Sequence, residues 1–158
     1  MAEVILARDL MISDFATIED DRTLADAMRQ LAAMHGDPDT PHALVVVDAD
    51  GRFRSLLTAP LLFKGAARAC GMEPGLLGSL LARSQMSLSE ILILGLPVVG
   101  PADRLLSLID ACSEDRLEFV PVVEGGRAVG LVPATSIFQA VASLALTPEH
   151  EGIRLDRN

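Results

Sequence analysis

Apolar residues near the start of the chain recur at helical spacing. Residues 3–12 predict a short helix or a leading strand, and residues 16–18 predict a brief extended segment. Between residues 23 and 34 the apolar side chains fall on one face, which predicts a helix packed on a sheet. Asp20 and Asp21 precede this helix, and we expect them to cap its amino end.

Continuous apolar runs follow this helix. Leu44–Val47 predicts a buried strand, Asp48–Gly51 a tight turn, and Phe53–Leu57 the returning strand. A further helix is predicted from Ala59, with Pro60 tolerated in its first turn. The order is therefore β-α-β-β-α, in which a parallel crossover and a hairpin share one small sheet.

The same pattern occurs twice in the chain. Residues 9–31 lie over residues 90–112 at a constant shift of 81 positions, and residues 44–63 lie over residues 119–138 at a constant shift of 75. The difference predicts six extra residues in the first copy, near the loop His35–His42. A duplication of about 60 residues is too long for a solenoid unit, so we expect one pseudo-symmetric domain.

The second copy predicts the same elements as the first. They are an extended segment at Val98–Val99, a helix over residues 103–113, strands at Phe119–Val123 and Ala128–Val132, and a helix at Ala134–Leu146. We expect an α/β fold with mixed sheets, in which two βαββα repeats pack sheet to sheet.

Similarity between the copies also defines domain borders. Repeat one covers residues 7–70, a connector covers 71–87, repeat two covers 88–146, and a polar tail covers 147–158. Leucines within Leu76–Leu81 share one side, which predicts a short helix in the connector.

Composition narrows the classes of partner. Half of the residues are apolar, and the chain has five Phe but no Trp or Tyr, so platforms for stacking nucleic-acid bases are scarce. A net charge of −9 also repels polyanions, which argues against a nucleic-acid partner. No stretch approaches the roughly 20 apolar residues that cross a bilayer, and no signal peptide opens the chain. We therefore expect a cytoplasmic protein without membrane insertion.

Motifs for catalysis or metal binding are weak in this sequence. No G-x-S-x-G, H-E-x-x-H or Walker sequence is present, so we expect no enzyme activity. His35 and His42 with Asp37 and Asp39 could hold a divalent cation, but they lack preorganised spacing, and we favour solvent exposure. Cys112 lies on the apolar face of its predicted helix, which favours a buried thiol.

Two stretches carry a resemblance to a known family. They read VVVDADGRFRSLLTAPLLF (Val45–Phe63) and VPVVEGGRAVGLVPATSIF (Val120–Phe138). With the βαββα order they resemble the CBS domain, and the tandem resembles a CBS pair, or Bateman module, over residues 7–146. The resemblance implies two domains packed about a pseudo-twofold axis, with two clefts in which many members bind adenine nucleotides or related adenosyl compounds.

The chain departs from the family pattern where the last helix of each repeat begins. In the family a Thr-x-x-Asp stretch contacts the ribose and phosphate there. Repeat one keeps Thr58 but has Leu61 at the Asp position, and Ser55 replaces the usual Gly. Repeat two has Pro133 and Ser136 at the Thr and Asp positions, and we expect Ser136 to cap its helix if it binds no ligand. Losing the carboxylate removes charge-assisted hydrogen bonds worth roughly 1.5–3 kcal/mol.

The resemblance nevertheless implies candidate ligand contacts. Strand residues would contact the adenine, while helix starts and basic side chains would contact ribose or phosphate. Arg127 and its equivalent Arg52 follow the hairpin turns and could contact phosphate, although a solvated hairpin residue is the interpretation we favour, and Arg54 is similar. The candidate ligand-binding residues are Thr17, Ile18, Thr58, Val98, Val99, Arg127 and Ser136. No metal site and no obligatory cofactor is assigned; AMP, ATP or another adenosyl compound is the ligand class implied.

Two functions follow from the resemblance. One is a regulatory protein that senses a small molecule in an inter-repeat cleft and signals through dimer geometry. The alternative is a degenerate CBS pair that serves dimerisation or docking to an unknown effector protein, without a nucleotide ligand. We expect a homodimer through the CBS helices, because the surfaces Leu76–Leu81 and Ile137–Leu146 are leucine-rich and the mean hydropathy is +0.38.

Overall fold

A computed structural model of the chain describes residues 4–34, 37–70 and 83–147. These residues form short helices and two small sheets, joined in part by a 3₁₀ turn at Leu88–Glu90. In chain order the elements are α1 (Ala7–Leu10), β1 (Ala16–Glu19), α2 (Leu24–Ala33), β2 (Leu44–Val47), β3 (Phe53–Leu57), α3 (Ala59–Cys70), α4 (Leu105–Glu114), β4 (Phe119–Glu124), β5 (Arg127–Pro133) and α5 (Ala134–Leu146). The mixed α/β class expected from the sequence is confirmed, whereas the predicted helix within Leu76–Leu81 and nearly all of the polar tail lie outside the described residues.

The first sheet has the order β1-β2-β3. β1 runs parallel to β2, and β2 runs antiparallel to β3, so the predicted crossover and hairpin are both present. Every second residue of these strands faces a core that includes Ile18, Leu44, Val46 and Leu57. Helices α2 and α3 close this core with Leu24, Ala27, Leu62 and Ala66.

The second sheet has only two named strands, β4 and β5, paired antiparallel. The extended segment predicted at Val98–Val99 is reduced to one parallel bridge between Val99 and Val122. The Val99 N–H donates to the Pro121 carbonyl at 3.0 Å, and the next donors in a parallel ladder would be residues 97 and 101. Both are proline and have no N–H, so the ladder cannot extend in either direction.

The amino end of α2 differs from the prediction. Thr23, not Asp20 or Asp21, is the N-cap: its hydroxyl accepts the Asp26 N–H at 3.1 Å. The Asp26 carboxylate accepts the Thr23 N–H in return, at 3.3 Å, which completes a capping box. Asp20 instead makes an ion pair with Arg54 of β3 at 3.2 Å, so its carboxylate stabilises the sheet and not the helix start.

Contacts divide the chain into two compact units, one formed by a single continuous segment and the other by two separate segments. One is continuous in sequence, Asp14–Leu96, and we call it the inserted unit. The other, the split unit, combines Met1–Ser13 with Pro97–Asn158, of which residues 4–13 and 97–147 are described. These units follow contacts, whereas the borders predicted at residues 7–70 and 88–146 follow sequence similarity.

The segment that leads into repeat one belongs to the split unit. The Ala7 N–H donates to the Asp103 carbonyl at 2.8 Å, and the Leu105 N–H donates to the Ile5 carbonyl at 3.2 Å. Ala7 is fully buried in the core of this unit. Residues 4–13, the first lead-in segment, are therefore a structural part of repeat two's core.

The segment that leads into repeat two makes the equivalent contacts in the inserted unit. The Leu88 N–H donates to the Arg22 carbonyl, and the Leu24 N–H donates to the Met86 carbonyl, each at 2.8 Å. All four residues lie 81 positions from their counterparts in the split unit, so the two copies have exchanged lead-in segments. Residues 84–96 form this second lead-in segment.

Strand pairing corrects the sequence alignment of the hairpins. Val46 pairs with Ser55 and Val122 pairs with Gly130, and each hairpin has an irregularity just after that pair. The first strands therefore correspond at a shift of 76 and the second strands at 75, so the constant shift of 75 is wrong. One of the six extra residues of repeat one lies in its hairpin turn, at residues 48–52, because a turn tolerates an added residue without disturbing the sheet.

Candidate functional site

Thr58 stands at the start of α3 and has a structural partner. Its side chain is 4% exposed, and its hydroxyl oxygen accepts the Leu61 N–H at 3.3 Å. Leu61, at the position of the family Asp, is half-buried. The helix start in the inserted unit is thus capped by its own threonine and offers no carboxylate to a ligand.

The start of α5, the equivalent helix, has no side-chain cap. Pro133 takes the N-cap position, so the capping role expected for Ser136 is wrong. Ser136 is the third residue of the helix, half-buried, and its hydroxyl makes no hydrogen bond with any described residue. The Ala134 N–H of the first turn already donates to the Glu118 carbonyl at 2.8 Å, so the Ser136 hydroxyl is the group that this helix start offers to a polar ligand.

The candidate strand residues divide by the face they occupy. Ile18 is 6% exposed and Val99 is 5% exposed, and each faces the core of its unit. Thr17 and Val98 are equivalent at a shift of 81, and both are exposed. In each of the neighbouring pairs Thr17–Ile18 and Val98–Val99, only the first residue is exposed and can present its side chain to a ligand.

Arg127 and Ser136 lie at opposite ends of one strand. Arg127 begins β5, and Ser136 follows the end of that strand. Seven extended residues span roughly 20 Å. The structure therefore does not bring these two predicted contacts together, and a ligand that touches Ser136 must span this length to reach Arg127.

Three hairpin arginines were expected to be solvated. Arg52 and Arg127 are exposed, as expected. Arg54 is half-buried and pairs with Asp20, so its environment is more structured than that of the other two. Beside Arg52, the N–H groups of Arg52 and Asp50 donate to the Asp48 carboxylate and hold its pKa below the ordinary value.

The loop after α2 shows no metal centre in its described part. Asp37 accepts hydrogen bonds from the Thr40 hydroxyl and the Asp39 N–H, which lower the pKa of Asp37. Among residues 4–34, 37–70 and 83–147, no three His, Cys, Asp or Glu side chains gather as a metal site. His35 lies outside these ranges. Cys112 is half-buried rather than buried, and its Sγ lies 3.5 Å from the Ile109 carbonyl.

Ser55, which replaces the family glycine, has a specific structural role. It is 1% exposed, and its hydroxyl donates to the carbonyl of Ile93 in the second lead-in segment at 2.6 Å. The equivalent Gly130 has no side chain, and Met11 of the first lead-in segment fills that space: a Cβ on Gly130 would lie 2.6 Å from its Sδ. In each copy the residue at this position therefore matches the lead-in segment packed against it: Ser55 bonds to Ile93, and Gly130 leaves space for Met11.

Two exposed phenylalanines were not singled out by the sequence reasoning, although Phe138 lies within the predicted dimer surface Ile137–Leu146. Phe63 of α3 is 54% exposed and Phe138 of α5 is 71% exposed, and they are equivalent at a shift of 75. A signal for them was present in the sequence, because Phe stands at the last position of both matched stretches.

An exposed groove in the inserted unit includes none of the predicted ligand residues. It is lined by Gly65, Arg68, Ala69, Glu90, Ile91 and Leu92.

Comparison with known proteins agrees with this geometry. Residues 7–59 match the family model of the CBS domain, and a search of curated proteins found no match. The chain is similar to the structure of a CBS-domain-containing protein from Agrobacterium tumefaciens, with 25% identity, a TM-score of 0.63, and coverage of 86% of this chain and 92% of that one.

Two further structures share the fold at lower identity. A CBS-domain protein from Thermoplasma acidophilum is 22% identical, with a TM-score of 0.67 and coverage of 87% of this chain and 69% of that one. The cytosolic domain of the Mg²⁺ channel MgtE, solved in complex with ATP, is 20% identical, with a TM-score of 0.64 and coverage of 85% of this chain and 48% of that one.

Residues 7–59 thus match the CBS domain, and the structural neighbours are CBS-domain proteins, which is consistent with a tandem CBS pair. None of the helices in the described ranges is long and apolar enough to span a membrane. The cytoplasmic location stays a prediction.

Proposed function

We propose that this protein is a non-catalytic regulatory module that binds a small molecule at the start of α5 in the split unit. The observation that carries the proposal is the half-buried Ser136 hydroxyl, which has no partner among the described residues and stands at a helix start without a side-chain cap. Val98, exposed on the strand segment before β4, supplies an apolar contact in the same unit.

The inserted unit is the weaker of the two candidate sites. Thr58 is buried and already caps α3, and Leu61 cannot accept a hydrogen bond. A ligand there would rely on exposed Thr17 and on apolar contact. The asymmetry favours one ligand per chain.

An adenosyl compound is the ligand class we propose first. The family resemblance supports it, as does the structural neighbour solved with ATP. Ser136 offers one hydroxyl where the family offers a carboxylate for two ribose hydroxyls, so we expect weaker binding than the family pattern gives. Binding would then be signalled through the geometry of a dimer.

Substitution at Ser136 tests this site. Ser136→Asp restores the carboxylate of the family pattern, and we expect at least a tenfold tighter Kd for AMP. Thermal unfolding against AMP, ADP, ATP, S-adenosylmethionine and NAD reports binding, since a ligand of the native state raises Tm in a saturable way. Thr135→Asp is the matched control, because it adds the same charge one residue earlier on an exposed position of α5.

Each outcome of this experiment has a separate meaning. If Ser136→Asp folds but binds no better than Thr135→Asp, the site is misplaced. If the native chain and both variants respond to no adenosyl compound, the small-molecule proposal fails for this class. An intact dimer in that case favours the alternative function.

The alternative function is a dimerisation or docking module without a nucleotide ligand. The equivalent exposed side chains Phe63 and Phe138 favour it, because a large exposed aromatic residue on both last helices is typical of a surface covered by a partner. A second copy of the chain is the partner we propose, and light scattering measures it.

A further inference from the structure

We infer that the two units depend on each other unequally: the split unit folds only when the inserted unit is folded, whereas the inserted unit does not require the split unit. The inference comes from the order in which the chain passes through the two units. It is independent of any ligand and goes beyond the proposed function.

The first step is that the first lead-in segment is indispensable to the split unit. Ile12 and Leu131 exchange backbone hydrogen bonds at 2.7 and 3.0 Å, and the Arg8 N–H donates to the Pro101 carbonyl at 3.0 Å. Ala7 is fully buried, and Met11 packs against Gly130. Without this segment the split unit would expose part of its core and the unpaired edge of β5.

The second step is that the two pieces of the split unit are joined only through residues 14–96. If those residues are unfolded, docking residues 4–13 on residues 97–147 must close a loop of that length. The entropy of closure weakens docking by a factor on the order of several hundred. When the inserted unit is folded, the ends of that loop are already held.

The third step is that the connections between the units are short. Ile12 is hydrogen-bonded in the split unit, and Ala16 begins β1 of the inserted unit. On the other side, the Ile93 carbonyl is bonded to Ser55 and the Val99 N–H to Pro121. Only residues 13–15 on one side and residues 94–98 on the other lie between these structured positions. The two connections are therefore too short to compensate if the ends of the inserted unit move.

The inserted unit has no such requirement. Its own lead-in segment, residues 84–96, lies within its continuous chain. The contacts of Leu88 with Arg22 and of Leu24 with Met86 form without any residue of the split unit. A molecule that stabilises the inserted unit should therefore protect both units, whereas one that binds the split unit should protect mainly that unit.

A matched pair of core variants in the full chain tests this inference. Val46 and Val122 occupy the same position in the two hairpins, and both are fully buried in the cores of their units. Val46→Ala and Val122→Ala remove the same two methyl groups, so each should lower amide protection in its own unit by about tenfold or more. Hydrogen exchange followed peptide by peptide reports the two units separately.

The expected result is unequal. Val46→Ala lowers protection in both units by a similar factor, while Val122→Ala lowers it in residues 97–147 and leaves the most protected amides of residues 14–96 within about twofold of the native chain. Two results overturn the inference: each variant affects only its own unit, or both variants lower protection equally everywhere. If either alanine variant fails to fold, Val46→Thr and Val122→Thr, which keep the shape, replace the pair under the same criteria.

Discussion

Ser55 and Gly130 show how one position takes different residues for physical reasons. In the inserted unit a buried hydroxyl satisfies the Ile93 carbonyl, and in the split unit the absence of a side chain accommodates Met11. The difference from the family glycine is thus explained by the lead-in segment that each residue meets. It does not involve the candidate ligand residues.

Replacing Ser55 should be costly because it leaves a buried carbonyl unpaired. We expect Ser55→Ala to lower the free energy of unfolding by about 1–3 kcal/mol, measured by urea denaturation. Ser113→Ala is the control, since Ser113 is exposed on α4 and should change stability by less than about 0.5 kcal/mol. Equal stability of the two variants would show that the Ser55 bond contributes nothing net.

At the scale of elements, the equivalent helices α2 and α4 have the same length and differ at their amino ends. Both have ten residues and begin 81 positions apart. Helix α2 begins with the capping box of Thr23 and Asp26, whereas α4 has Arg104 at its N-cap and Ser107 in place of Asp26. Helix position is therefore conserved between the copies while the cap chemistry is not, because packing of the apolar face supplies most of the helix stability.

The capping box predicts a pH dependence of stability. The Thr23 N–H and hydroxyl are hydrogen-bonded with the Asp26 carboxylate and lower its pKa from the ordinary 3.8. Since the folded pKa is the lower one, the stabilisation is complete above pH 3.8 and is lost as pH falls through the folded pKa. Asp26→Ala should thus lower Tm at pH 7 and differ less from the native chain at pH 2.5.

Thermal unfolding of a second variant distinguishes the effect of the Thr23–Asp26 capping box from the overall loss of stability at low pH. Ser107→Ala changes the equivalent position of α4, which has no side-chain cap, so its effect on Tm should be small and independent of pH. An Asp26→Ala effect that is as large at pH 2.5 as at pH 7 would contradict the role assigned to the ionised carboxylate.

At the scale of the whole molecule, the exposed phenylalanines predict self-association. If a second copy covers the last helices, Phe138→Ser should shift the chain from dimer to monomer, measured by light scattering or sedimentation at micromolar concentration. Leu94→Ser is the control, because Leu94 is 61% exposed and lies outside both helices. A native chain that is already monomeric, or a dimer that survives Phe138→Ser, rules out this surface.

The local pattern of apolar and polar residues was sufficient to locate most helices and strands. Apolar runs and helical spacing located β2, β3, α3 and α5 at the bounds observed, because each is defined by residues adjacent in sequence. The shift of 81 also holds from α2 to α4. The cap at Thr23 was missed because Asp20 and Asp21 carry the same chemistry, and only geometry shows which residue reaches the first turn.

The candidate site was less predictable than the fold. The sequence identified Leu61 and Ser136 as departures from the family pattern, and that follows from residue identity alone. It could not show that Thr58 is buried and hydrogen-bonded, or that the Ser136 hydroxyl has no partner among the described residues. Burial and hydrogen bonding depend on atoms distant in sequence.

The sequence by itself determined that this chain is a duplicated α/β protein that resembles a CBS pair, because the order, spacing and repetition of apolar positions are properties of the linear chain. Only the tertiary structure decided which lead-in segment joins which core, and where the hairpins are offset by one residue. The exchange of lead-in segments rests on backbone hydrogen bonds between residues some 60 to 120 positions apart. A backbone hydrogen bond carries no side-chain signature, so similarity between the copies could not reveal the exchange.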